Sequence, residues 1–188
     1  MPAHFVAVEP APVLLLGDPR LRVPARVVAD CGDPEFRHDL DRLQATLHDF
    51  RRRHGFGRAV AAPQIGAPWR AVAVNLGQGP FLIVNPEVTW RSPETFSMWD
   101  DCMSAPDLLV RLRRHESLSL RYQNEQGQER TWERLERAAS ELLQHELDHL
   151  DGVLFTDRAT GHDALVLRGA FERDPAHFRV QVDYLIGD

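Results

Sequence analysis

With 188 residues, 43% of them apolar, the chain has material for one domain with a substantial core and too little for two of ordinary size. Its 22 basic side chains against 28 acidic ones leave a net charge of −6, which excludes a general attraction to nucleic acid or anionic membranes. No repeat or low-complexity segment interrupts it, so residues 1–188 are expected to form a single domain. The stretch Met1 to Leu16 has no basic n-region and only the short apolar run Val13 to Leu16, so neither a signal peptide nor a spanning helix is expected and the location is read as cytoplasmic. In that setting Cys31 and Cys102 are expected as thiols, one of them a candidate ligand.

The first predicted element is a helix. Phe36, Leu40, Leu43, Leu47 and Phe50 recur at steps of four and three, which makes one apolar stripe ending near Gly55. The triplet Arg51, Arg52 and Arg53 admits a nucleic-acid reading, but basic residues in a last helical turn also complement the macrodipole, and the acidic whole favours that structural role. After the loop "GRAVAAPQIGAP" come β-rich runs at Trp69 to Leu76 and Phe81 to Val84, then "NPEVTW", separated by "GQGP" and Asn85-Pro86 and read as antiparallel strands. Leu118, Leu120 and Tyr122 alternate with polar residues, and "NEQG" turns that strand into Gln128 to Trp132, a hairpin. From Arg134 to Leu150 the period becomes helical, with Leu135, Ala138, Ala139, Leu142, His145 and His149 near one face. Beyond Thr160 the cues are mixed and assign no element. Strands with helices packed to one side give an α+β class.

The second helix carries "HELDH". Four residues advance the helix so that His145 and His149 lie one turn and only about 40° apart, and both imidazoles can reach one ion. Glu146 is about 100° round from His145, placed to take a proton from bound water without ligating. The competing reading is a solvated surface helix, disfavoured because the histidines share a face with Leu135, Ala138 and Leu142. Asp148 and Asp151 are either acceptors for the histidines or solvent-facing charges, and the sequence leaves that open. A catalytic site needs a third ligand. The zincin extension fails because Phe155 takes the place of its last histidine. Glu172, His162, His177 and Cys102 remain, the last in "WDDCMSAPD", between strand-like segments in a tight stretch ended by Pro106. A thiolate is a strong ligand for zinc or ferrous iron, while the alternative for Cys102 is a small buried hydrophobe.

The stretches "VAAPQIG", "DDCMS" and "QHELDHLDGVLF", in this order, resemble the three motifs of the peptide deformylase family, G-x-G-x-A-A-x-Q, E-G-C-x-S and H-E-x-D-H. The likeness spans nearly the whole chain, through "GDPRLR", "VNPEV" and "LDGVLFTDR". It implies an α+β fold of antiparallel sheets packed around a central helix carrying the paired histidines. It also implies one divalent metal ion, Fe2+ or Zn2+, held by Cys102, His145 and His149, with iron favoured for activity. By the same resemblance Glu146 is the general acid/base, and the Gln64 amide and the Met103 backbone N–H donate to the oxyanion. Gly57, Arg58, Ala59, Asp100, Asp101, Ala138, Glu141 and Leu142 fall at substrate-contacting positions. The implied activity is removal of the N-formyl group, chiefly from the N-formyl-Met of nascent chains in protein biosynthesis, with release of formate. The implied partner is the formylated peptide, with a transient ribosome association left open and no direct nucleic acid or membrane contact.

Physical chemistry agrees with that assignment. A formamide has no good leaving group, so its hydrolysis near neutral pH needs the activated water that a metal supplies and a base such as Glu146. Each oxyanion donor is typically worth ~3 kcal/mol of barrier. Ala61 and Ala62 are expected to wall a cavity narrow enough for formyl and too narrow for larger acyl groups. Several positions depart from the family pattern: Ala59 replaces a glycine, Arg58 an apolar residue, Asp100 a glutamate, Asp101 a glycine and Glu141 an apolar pocket wall. They cluster around the substrate and leave ligands and base untouched, so the expectation is retained chemistry with a shifted substrate, Arg58 pairing with Glu141. Two competitors are an amidase for another small N-formyl or N-acyl amine and a catalytically impaired binding homologue. Retention of Glu146 and Gln64 speaks against the second. A zincin endopeptidase lacks its third ligand.

Overall fold

The computed structural model of the protein describes residues 8–186. The first seven residues, part of the Met1 to Leu16 stretch read above as lacking an export signal, lie outside them. No helix among the described residues is long and apolar enough to cross a membrane. In chain order the main helices and strands are α1 Pro34–His54, β1 Ala59–Ala61, β2 Ala71–Asn75, β3 Pro80–Arg91, β4 Thr95–Cys102, β5 Ala105–His115, β6 Leu118–Gln123, β7 Glu129–Trp132, α2 Arg137–Leu150, β8 Leu165–Leu167, α3 Arg168–Arg173 and α4 Pro175–Arg179.

Helix α1 starts and stops for local reasons. The Asp33 carboxylate accepts from the N–H groups of Glu35 and Phe36, Pro34 needs no donor at the first position, and Gly55 closes the helix in the left-handed conformation at φ 76°. The basic triplet has structural employment. Arg52 and Arg53 pair with Asp49, while Arg51 donates to the carbonyls of Gly57 at 3.1 Å and Asn75 at 2.8 Å, fastening the loop that follows.

The strands form two antiparallel sheets, one in the order β1-β2-β3-β6-β7 and one in the order β4-β5-β8. Strand β2 explains why the first sheet is covered on both faces. Ala71 and Ala73 pack with α1 in one core, while Val72 and Val74 pack with Leu135, Ala139, Leu142 and Leu143 beside α2 in another. Alternation with apolar residues on both sides leaves no face for water. The helices are therefore not on one side of the strands, as the sequence pattern predicted, but on opposite faces of the five-stranded sheet.

Three other expectations need correction. The stretch read as a loop around "GRAVAAPQIGAP" contains β1 and a 3₁₀ turn over Ala62–Ile65. The predicted break at Asn85-Pro86 is a bulge inside the continuous β3. Val84 pairs with Gln123 and Glu87 with Arg121, so two residues stand opposite one, and Asn85 takes φ 50°. Its side chain holds the bulge by bonding the N–H and C=O of Val28, both at 2.8 Å, and Gln123 at 2.9 Å. Helix α2 begins at Arg137 rather than Arg134. Arg134 is left-handed at φ 50° and Leu135 still donates to Leu118 of β6 at 2.8 Å.

The second sheet was the least legible. Strands β4 and β5 form a hairpin with Cys102 opposite Ala105 at its tip, so Pro106 lies inside β5 instead of ending the stretch around Cys102. Charged residues in "WDD" and "RLRRH" interrupt the apolar alternation, and two of them, Asp100 and Arg114, are themselves buried. The unassigned tail contributes β8, α3 and α4, tied to β4 by the Trp99 indole N–H, which donates to the Phe178 carbonyl at 3.0 Å.

Gly152 follows α2 at φ 72°, and a Cβ there would stand 2.6 Å from the carbonyl oxygen of Arg22, whereas one at Gly55 would meet nothing within 4 Å. Unfolding free energies from denaturant titration are expected to fall by roughly 3 kcal/mol for Gly152→Ala and by only about 1 kcal/mol for Gly55→Ala. Equal losses would deny the close approach its role.

Candidate active site

Two elements bring the candidate ligands together. Helix α2 stacks His145 and His149 on successive turns, ring centroids 5.0 Å apart, and the tip of β4 presents Cys102 to them. All three are buried and their ligand atoms lie within 4.8 Å of one another. Cys102 Sγ is 3.3 Å from His149 Nε2. A tetrahedral ion with bonds of about 2.3 Å to sulfur and about 2.1 Å to nitrogen would hold such a pair about 3.6 Å apart, so the spacing fits a metal with little adjustment. His145 Nδ1 is engaged 3.0 Å from Asp100 Oδ2, which leaves its Nε2 as the ligating atom. Glu172, His162 and His177 join no such group among the described residues. Phe155, at the zincin histidine position, instead lays its ring 5.9 Å from that of His145.

The role of Asp100 was not anticipated. Its carboxylate meets both His145 and Arg114, whose Nη2 is 3.0 Å away, while the other Arg114 terminal nitrogen donates to Asp148 at 2.6 Å. Burial works against the Asp100 charge, yet His145 and Arg114 outweigh it and hold the carboxyl well below the usual range. Burial likewise opposes the charge on His145, but Asp100 and Cys102 keep its pKa well above the ordinary value. Burial and the neighbouring His145 push His149 well below it. The open question about Asp148 and Asp151 is settled by arginines. Asp148 takes Arg114 and Arg158, Asp151 takes Arg70 at 2.7 Å, and neither carboxylate hydrogen-bonds a histidine among the described residues. One signal for Asp100 was present in the sequence: it stands two residues before Cys102, on the same face of an extended strand.

A cavity of about 250 Å³ opens over this group, lined by Cys102, His145, Glu146, Gln64 and Met103. Glu146 is 3% exposed, burial raises its pKa to about 7, and its Oε2 has no hydrogen-bond partner among the described residues. Gln64 is oriented by accepting from the Ala61 N–H at 2.8 Å, which turns its amide nitrogen toward Ser104 Oγ at 3.2 Å and Cys102 Sγ at 3.7 Å.

Of the residues expected to touch substrate, Gly57, Arg58, Ala59, Asp100 and Asp101 line the cavity, as do Glu141 and Leu142. Ala138 does not. Its carbonyl accepts from Arg58 at 3.1 Å, behind the cavity wall. Ala61 and Ala62 are also outside the lining, buried in the two cores on either face of the sheet, and the small residues of the wall are Gly55, Gly57 and Ala59. Arg58 and Glu141 pair at 2.5 Å. Glu141 is 1% exposed, and burial raises its pKa to about 7 against the opposing pull of Arg58. Sequence reasoning missed Phe56 and Ile186 in the lining, and Arg168, which donates to Asp101 at 2.8 Å with its guanidinium 5.0 Å above the Phe56 ring. These come from segments without a recognisable local pattern.

Comparison with known proteins gives consistent likenesses. A family model described as polypeptide deformylase matches residues 10–164. The peptide deformylase of Thermotoga maritima is 35% identical over 156 residues, spanning 83% of this chain and 91% of that one. Peptide deformylase 1 of Prochlorococcus marinus is 33% identical over 172 residues, spanning 85% and 86%. Among solved structures, the Thermotoga maritima peptide deformylase superimposes with TM-score 0.73 at 33% identity over 81% of this chain and 99% of that one. The Synechococcus elongatus enzyme in complex with actinonin gives TM-score 0.74 at 28% identity over 84% and 82%.

Asp100→Asn should weaken His145 as a ligand and lower metal affinity by roughly 10–100-fold, read by competition with a chelator. Unchanged affinity would deny Asp100 that orienting role.

Proposed function

The chain belongs to the peptide deformylase family and is a hydrolase that removes the formyl group from nascent peptides; we propose that Glu146 is its general acid/base, that Gln64 and the Met103 N–H receive the oxyanion, and that Cys102, His145 and His149 hold the metal. The observation that carries this reading is the buried Glu146 carboxylate, with one oxygen unpartnered, lining the same cavity as Cys102 and His145. When bound, a divalent ion polarises the formyl oxygen and lowers the pKa of water. Glu146 accepts the proton of the attacking water on its unpartnered oxygen and delivers it to the amine nitrogen as the C–N bond breaks, releasing formate and a free N-terminus. Negative charge develops on the formyl oxygen, and the Gln64 amide and the Met103 N–H donate to it. The Ser104 N–H donates to Cys102 Sγ at 3.4 Å and helps fix the direction of the sulfur.

One sulfur and two imidazole nitrogens suit both ferrous iron and zinc, and we assign the ion to that pair. Ferrous iron and its thiolate ligand are both liable to oxidation, so anaerobic purification with metal analysis is the direct test. Acting on nascent chains places the protein in the cytoplasm, with formylated peptide as its partner and a passing encounter with the ribosome.

Substrate choice follows from the cavity wall. The Arg58–Glu141 pair introduces charge where a long apolar side chain would otherwise be buried, which favours small or polar first residues over methionine.

Glu146→Ala should lower formate release by roughly 10²–10⁴-fold while metal content is retained, an outcome a binding homologue would not give. Since the base works deprotonated, kcat/KM should rise with pH. A bound cation pulls the carboxyl down from about 7 toward its ordinary 4.5, so the acid limb should fall between those values and vanish in Glu146→Ala. Replacing the pair, as Arg58→Ala/Glu141→Leu, should raise the rate on formyl-Met relative to formyl-Gly peptides about tenfold. An unchanged ratio would show that the pair does not set specificity.

A further inference from the structure

A second cavity, of about 390 Å³, lies against the other face of α2, where Gln144, Leu147, Asp148 and Asp151 meet the ends of β3 and β5. In a chain of net charge −6 its border is basic: Arg70, Arg91, Arg113, Arg114 and Arg158 stand against three carboxylates. Every one of those carboxylates is already engaged. Asp151 holds Arg70 at 2.7 Å, Asp148 holds Arg114 at 2.6 Å and Arg158 at 2.7 Å, and Glu87 holds Arg121, which is not in the lining, at 2.6 Å.

Two guanidinium groups are left over. Among the described residues the Arg91 side chain makes no ion pair and no hydrogen bond. Arg113 donates to the Thr95 hydroxyl at 2.9 Å and its carbonyl at 3.2 Å. Its charge is felt by Asp183 only from beyond ion-pair distance. Arg114 stands behind them. It is 4% exposed, yet its Nε is a buried donor with no partner among the described residues. Cations crowded around one concavity repel, and a buried unpaired N–H carries a desolvation cost. A bound oxyanion relieves the repulsion.

We propose that this cavity binds a phosphate group, with Arg91 and Arg113 supplying the charge. Two uncompensated guanidinium forks match a tetrahedral dianion in charge and in the pairing of donors to oxygens, whereas a single carboxylate would leave one of them unmatched. The two cavities share no lining residue; Arg114 of this one reaches the other through its bond to Asp100, whereas Arg91 and Arg113 do not.

The test is calorimetric titration of inorganic phosphate into the metal-loaded enzyme at constant ionic strength. Saturable binding of one equivalent is expected, weakened tenfold or more in Arg91→Ala/Arg113→Ala, with metal content and formate release unchanged. If the double variant folds poorly, Arg91→Ala alone, whose side chain has no partner to lose, should still weaken binding several-fold. Absence of saturable heat, or equal affinity in wild type and variants, overturns the site and would assign any binding to the metal group or the general surface. A short single-stranded oligoribonucleotide distinguishes the source. Displacement of phosphate by it, lost in the same variant, identifies a phosphate ester as the ligand, and failure to displace identifies the free anion.

Discussion

Asp100 Oδ2 accepts from His145 of α2 and from Arg114 of β5, and in doing so ties the hairpin sheet to the helix that carries the metal ligands. Cys102, two residues further along the same strand, lies 3.3 Å from His149 Nε2. Charges are costly to bury, and this carboxylate is held ionised by its two partners; removing one partner of such a pair typically costs about 3–5 kcal/mol. What the arrangement supplies is position: one oxygen sets the tautomer and direction of His145 while the strand it belongs to delivers the sulfur.

The helix can play this part because both cores lean on the same sheet. Strand β2, alternating alanine and valine, presents small residues to α1 and larger ones to the α2 side, so the five-stranded sheet is closed on both faces. Helix α2 then keeps its apolar stripe on that sheet and turns its histidines and Glu146 toward the second sheet. Its remaining face carries Asp148 and Asp151, each committed to arginines. The three faces do different work: packing, hydrolysis and a charged cavity.

Around the metal group the machinery is buried and conventional in chemistry, but the substrate cavity is unusually charged. Arg58 faces Glu141, and Arg168 from the tail grips Asp101. The tail therefore helps build the rim of the site, through Arg168 and Ile186, although it lies beyond residues 10–164, the part that the family model matches.

Local periodicity determined a good deal from the sequence alone: both long helices, the hairpin of β6 and β7, and the one-turn spacing of His145 and His149 follow from interactions within a few residues. The motifs likewise brought Cys102, Glu146 and Gln64 into consideration, and the expected pairing of Arg58 with Glu141 is present. Only the tertiary structure decided what depends on distant residues. The strands β4 and β5 were obscured because Asp100 and Arg114 look like surface charges until they are seen to neutralise each other 14 positions apart. The placement of Ala138, Ala61 and Ala62 outside the cavity, the arginine partners of Asp148 and Asp151, and the contribution of the tail have the same origin. Local pattern fixes which way a side chain points from its own element, while its partner is set by how elements far apart in the chain are packed.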